Sequence, residues 1–258
     1  MTLNTMATGD GRPNLVPVRD SLKRMFEDLV ARYEGRGMNV PTGIKGFDSR
    51  FRGIAPGELV LVSSQQDGDA TTVALKMALH AAMDPDRPIH VAIISCCMLQ
   101  HQLTARLLCL HAEIDAAKLR SGNINKEDWT KMTVSSAEIA KLPITTMASA
   151  NVSVSLIRER LRALPIDLNP VGLVIVDGVQ MLQGRGETDA EEDALRKSLK
   201  ALAMEMQIPF VVTFDMDDFV DFGLHVERKN GEMFMIRVGG RSDVVVGIVP
   251  IPFDEPEP

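Results

Sequence analysis

Residues 171–177 read Val-Gly-Leu-Val-Ile-Val-Asp (VGLVIVD), a nearly unbroken apolar run that stops at a carboxylate. A strand apolar at almost every position buries both of its faces, as happens in a parallel sheet covered by helices on two sides. Upstream, GELVLVSS (57–64) follows the Pro56-Gly57 turn, and PIHVAIISC (88–96) and PITTM (143–147) add two further strands. Downstream lie PFVVTF (209–214), EMFMIRV (232–238) and DVVVGIV (243–249). Helical spacing fills the gaps at 71–83, 99–118, 126–141, 153–164 and 189–207. The last of these has Asp and Glu early and Lys and Arg further in, as the helix dipole favours. Strands alternating with helices predict an α/β fold built on a mainly parallel sheet, helices on both faces. No internal repeat is visible.

Ahead of this pattern, residues 1–16 read as a flexible arm. DSLKRMFEDLVARYEG then sets Leu22, Met25, Phe26, Leu29, Val30 and Tyr33 on one stripe, with Asp20 as the expected N-cap. GRGMNVPTG is too rich in glycine to continue the helix. The expected organisation is an arm (1–16), a helix with its linker (17–38), an α/β domain (39–253) and the acidic tail DEPEP (254–258).

The 258 residues are 45% hydrophobic and 24% charged, an ordinary globular balance, long enough for one large domain. No apolar run reaches the length of a bilayer span. The polar opening MTLNTMATGDGRPN lacks the apolar core of a secretory leader. Three cysteines, Cys96, Cys97 and Cys109, do not suggest a disulfide framework, so a cytoplasmic setting is expected. A net charge of −7 opposes strong binding to a nucleic-acid backbone, which needs clustered cations.

In such sheets ligands sit beyond the carboxyl ends of the strands, here 63–71, 95–98, 177–180 and 214–218. Around them, NVPTGIKGFDSRFRGIAPGELVLVSS, VAIISCCMLQHQLTARLL, LRSGNINKEDW, VGLVIVDGVQML and SLKALAMEMQIPFVV occur in order. This series resembles the motor domain of DnaB-type replicative helicases, relatives of RecA with a P-loop NTPase fold. LVPVRDSLKRMFEDLVARYEGRG resembles the linker helix before that domain. The likeness runs from about residue 15 to 253, and LRSGNINKEDW favours DnaB over other RecA relatives. It implies ATP and Mg²⁺ as cofactors, a ring of subunits and work in DNA replication. Contacts made through the family's N-terminal domain are not expected here.

The departures are concerted. A P-loop cradles phosphates with backbone N–H groups, a Lys and a metal-binding hydroxyl. Here the stretch is SSQQDGDATT (63–72), with Asp69 at the last glycine, Ala70 at the lysine and Thr71 at the hydroxyl position. Two carboxylates such as Asp67 and Asp69, about 5 Å apart at an effective dielectric near 20, repel by roughly 3 kcal/mol. The resemblance sets Cys97 at the family's water-activating Glu and Asp215 at its γ-phosphate-sensing Gln. Arg237 falls at the family's Lys near the last strands, Gly239 at its arginine finger, and Arg241 is a candidate substitute. Asp177 matches the acid that organises Mg²⁺. The DNA-facing regions, 183–193 and 215–231, are acid-rich, so DNA gripping is not expected.

Asp67, Asp69, Asp177 and Asp215 are expected at one sheet edge, as an oxygen-rich Mg²⁺ or Ca²⁺ site or as solvated acids. Cys96, Cys97 and His101 invite a zinc reading but match no standard zinc spacing, and the two cysteines read as buried thiols. Trp129 reads as a packing anchor, and Met77, Met204 and Met206 as core filler. Phe26, Leu29 and Tyr33 read either as an interface with a neighbouring subunit or as a stripe folded back on its own domain. Three functions follow as expectations. The first is a non-catalytic, pseudo-ATPase interaction protein that needs no cofactor and binds itself or a replication partner. The second is a divergent ATP-dependent helicase rescued by residues such as Lys76 or Arg241. The third is a metal- or ligand-binding module at the acidic edge.

Overall fold

The computed structural model describes residues 15–33, 39–64, 70–164, 170–183, 189–215, 225–229, 232–238 and 243–249. The chain divides into two units, Met1–Met38 and Asn39–Pro258. The first holds helix α1 (Val18–Tyr33). It begins directly after Pro17, whose carbonyl accepts from the backbone N–H of Asp20 at 2.9 Å and of Ser21 at 3.3 Å. Proline is favoured beside a helix start because its φ is already helical and it lacks an N–H to satisfy. Asp20 therefore lies in the first turn and is not the N-cap expected from the sequence. The stripe is exposed, with Phe26 at 57%, Leu29 at 56% and Tyr33 at 92%.

The second unit is built on one sheet in the order β3-β2-β4-β5-β1-β8-β7-β6. Its strands are β1 (Leu59–Ser64), β2 (His90–Ser95), β3 (Ile144–Ala148), β4 (Val171–Asp177), β5 (Phe210–Asp215), β6 (His225–Lys229), β7 (Glu232–Val238) and β8 (Asp243–Val249). From β3 to β8 in that order the neighbours are parallel, while β8–β7 and β7–β6 are antiparallel. The helices are α2 (Lys45–Phe51), α3 (Ala70–Ala82), α4 (Gln100–Ala112), α5 (Ala116–Ser121), α6 (Lys126–Ile139), α7 (Val154–Arg162) and α8 (Asp189–Met206).

Side-chain alternation along the strands separates two cores. Val60, Val62, Val91, Ile93, Leu173, Ile175 and Val211 face α3 and α4 in one cluster. Leu59, Ala92, Ile94, Val174, Val176, Phe210 and Val212 join Ile157 of α7 and Leu199 and Leu202 of α8 in the other. This two-sided burial is why residues 171–177 read as continuously apolar.

Several expectations are corrected. The helix anticipated over 99–118 is two helices, because Glu113 takes a left-handed conformation at φ 54 and Asp115 caps α5 by accepting from the N–H of Ala117 at 2.8 Å. Residues 225–229, read as part of an acid-rich DNA-facing region, form β6 against β7. The helix α2 was not anticipated. Its approach is fixed by Asp48, whose carboxylate accepts from the backbone N–H groups of Thr42 and Gly43 and from the Thr42 hydroxyl. Trp129 is not a packing anchor. It is 59% exposed, and Met132 fills the contact of α6 with Ala112 and Ile114 instead. Met77 is buried and Met206 packs on the core, but Met204 is exposed rather than core filler.

Candidate functional site

The parallel register brings strand ends level. Ser64 of β1 faces Asp215 of β5, and Ser95 of β2 faces Asp177 of β4. The segment after β1 leads to α3, which opens at Ala70 and Thr71. A helix start aimed at the carboxyl edge of a parallel sheet is where this architecture concentrates its polar chemistry.

Asp177 is completely buried, and its carboxylate accepts four side-chain hydrogen bonds. Thr71 donates to Oδ1 at 2.6 Å and Thr213 to the same oxygen at 2.8 Å. Ser95 donates to Oδ2 at 2.8 Å, and the Cys97 thiol at 3.2 Å. The Asp177 carbonyl accepts from the Cys96 N–H at 2.8 Å. Removing a carboxylate from water is costly unless such bonds replace its hydration. Four elements thus meet on one side chain: the start of α3, the end of β2 and the turn after it, β4 and β5.

Just past the acid the chain turns through Gly178 at φ +76. A Cβ there would lie 2.9 Å from both Cβ and Sγ of Cys97, so only glycine fits beneath the thiol. The Gly178 N–H donates to Thr213 Oγ1 at 2.9 Å, which makes that hydroxyl an acceptor on one side and a donor to Asp177 on the other.

The thiols are poor acids. Desolvation and the neighbouring Asp177 charge push Cys97 up to about 11, even though the residue as a whole is exposed. Cys96 is buried, and its desolvation, helped by Cys97 and Asp177, raises it to about 12. The expectation of two buried thiols therefore holds for Cys96 and is corrected for Cys97. At neutral pH both are protonated, so Cys97 acts as a hydrogen-bond donor and not as a base.

Of the residues singled out from sequence, Thr71, Cys97 and Asp177 come together here. Ala70 is buried at the opening of α3, and Lys76 is exposed further along it. For Asp215 and Arg237 the backbone positions alone are described: Asp215 ends β5, and Arg237 lies opposite Val245 in β7. Asp67, Asp69, Gly239 and Arg241 lie outside the described residues, as do 184–188 and 216–224 of the acid-rich regions. Among the described residues no group of three or more His, Cys, Asp and Glu side chains is placed to hold a metal, and no helix is long and apolar enough to cross a membrane. Sequence reading missed Ser95 and Thr213. Their signal was positional, since Ser95 ends β2 and Thr213 lies two residues before the end of β5, the two strands that flank β4 in the sheet.

A parallel sheet whose buried acid at the end of β4 bonds a hydroxyl in the first turn of the helix after β1, with β5 between the two strands, is the arrangement of a RecA-like domain of the P-loop NTPase fold class. Residues 39–220 match the DnaB-like helicase C terminal domain, and the chain belongs to that family. It is 28% identical over 238 residues to the replicative DNA helicase DnaC of Bacillus subtilis (strain 168), a match covering 90% of this chain and 51% of that protein. The replicative DNA helicase DnaB of Geobacillus stearothermophilus gives the same identity and coverage. The chain thus spans about half the length of these relatives. Among solved structures, one ATPase domain superposes with a TM-score of 0.72 at 19% identity, covering 92% of this chain and 95% of that one. A DnaB-like replicative helicase, described with its interactions with primase, gives 0.69 at 19% identity, covering 94% of this chain and 66% of that one. At such identities the superpositions speak for the fold.

Among the described residues, the donor set fits a magnesium–triphosphate badly. Position 70 opens α3 with a buried methyl and position 97 carries a neutral thiol, so neither side chain brings a cation or a base to the site. Both oxygens of Asp177 are already taken by protein donors.

Proposed function

We propose that this DnaB-like domain does not hydrolyse ATP and acts through protein–protein contact, in self-assembly or with a replication protein. The observation that carries this reading is Ala70 at the opening of α3, beside an Asp177 enclosed by neutral donors. Phosphoryl transfer depends almost wholly on positioned positive charge around the phosphates, and the side chain at position 70 supplies none. Asp67 and Asp69 in the preceding segment add negative charge to the same stretch of sequence.

The contact surface in this reading is the exposed stripe of α1, with Phe26, Leu29 and Tyr33 as its apolar anchors. The solved DnaB-like relative described with primase makes a replication protein the natural class of heterologous partner. A role in DNA replication follows from the family and from the replicative helicases among its relatives.

The same relatives support a second reading, an ATP-driven DNA helicase with rearranged catalytic groups, for which the surviving Thr71–Asp177 pair speaks. A steady-state phosphate-release assay with single-stranded DNA separates the two. The proposal expects release no faster than the buffer blank. DNA-stimulated release that disappears in Asp177→Asn would overturn it.

A further inference from the structure

Where a divalent cation fits badly, a buried carboxylate needs another counter-group. The Asp177 side chain meets four partners, and three of them, Thr71, Ser95 and Thr213, are hydroxyls. The fourth is the thiol of Cys97, 3.2 Å from Oδ2 and 3.7 Å from the Ser95 hydroxyl. It belongs to the turn after β2 and is held down over Gly178, whose missing Cβ makes room for it. A carboxylate on the side chain at 97, held where the thiol now meets Asp177, would put a second negative charge against a buried one, and like charges with one partner out of water repel more than they do in bulk solvent.

We infer that Cys97 is a positioning residue that takes the place of a cation at Asp177, so that the metal-free arrangement is the stable state of this site. The thiol offers one proton to Oδ2, fits over Gly178, and brings no charge. A carboxylate at 97 would set a second negative charge against Asp177, whose other three side-chain partners bring no cation to answer it. A neutral donor removes the conflict. The inference rests on the non-hydrolysing reading in one respect, that the resting site carries no divalent ion.

Thermal melting of the full chain without nucleotide tests it. Cys97→Ser retains a donor and should melt with the wild type. Cys97→Gln and Cys97→Glu have nearly the same size, so their difference isolates charge. The glutamate variant should melt lower than the glutamine variant by about 3 °C or more. Millimolar Mg²⁺ should restore much of that gap while leaving the wild-type midpoint in place. Equal midpoints for the two variants, or a wild-type midpoint that Mg²⁺ raises as much as it raises Cys97→Glu, would overturn the inference. Neither result depends on phosphate release, so failure here and failure of the non-hydrolysing reading are told apart.

Discussion

The hydroxyl of Thr213 donates to Asp177 Oδ1 at 2.8 Å and accepts from the Gly178 N–H at 2.9 Å, joining β5 to both the side chain and the backbone at the end of β4. One buried oxygen thus fixes the acid and the left-handed turn that follows it. Valine has the same shape without the hydroxyl, and it would leave both partners short of a bond in a site closed to water. Thr213→Val should therefore lower unfolding stability by about 2 kcal/mol, the scale of a hydrogen bond to a charged group. Urea denaturation checks this, and an unchanged midpoint would show that the bond carries no stability.

The thiols make a prediction of their own about pH. Cys97 stands at about 11 and Cys96 at about 12, against an ordinary 9.0. A raised acid contributes stability that is complete below its unfolded value and is lost as pH climbs through the folded one. Stability should hold below pH 9 and decline between about 9 and 11–12. Iodoacetamide labelling followed by mass spectrometry gives the matching kinetic test. The rate at Cys97 should still rise about tenfold per pH unit between 8 and 10, because the thiolate is the reactive form. A plateau before pH 9 would contradict the assignment of Cys97 as a protonated donor.

How far the sequence announced all this differs from element to element. Val171–Asp177 was legible to its last residue, because a strand buried on both faces has no alternative pattern to offer. The break at Glu113 was not, since neither glycine nor proline marks it and only the local hydrogen bonding of Asp115 does. Trp129 shows the limit of periodicity in a helix. The buried line of α6 is Asp128, Met132 and Ser135, one position away from the largest apolar side chain, and Asp128 is there because it caps the helix and pairs with Lys118 at 3.2 Å. At the site, Thr71 and Asp177 were legible through the family pattern. Ser95 and Thr213 were hidden because serine and threonine in strands announce nothing until the sheet order is known.

That cap gives a third prediction. Asn125 Oδ1 accepts from the Asp128 N–H at 2.8 Å, and Asp128 reaches back to the Asn125 N–H at 3.4 Å. Asn125→Ala should cost about 1 kcal/mol. Asp128→Ala removes both the return bond and the partner of Lys118, so it should cost more. Parallel urea curves measure the order, and an Asn125 variant less stable than the Asp128 variant would contradict it.

A fourth prediction concerns α1. If its exposed stripe is the assembly surface, the wild type should run above monomer mass in light scattering. Phe26→Glu with Leu29→Glu should reduce that mass to the monomer and leave the melting of the α/β unit unchanged. An assembly that survives both substitutions would move the contact elsewhere.

The most direct measurement on the central claim is equilibrium titration of the chain with a fluorescent ATP analogue in the presence of Mg²⁺. A start of α3 without an ammonium group, next to a carboxylate already enclosed by protein donors, predicts no saturable signal through millimolar analogue. Saturation at micromolar analogue, displaced by unlabelled ATP, would contradict it.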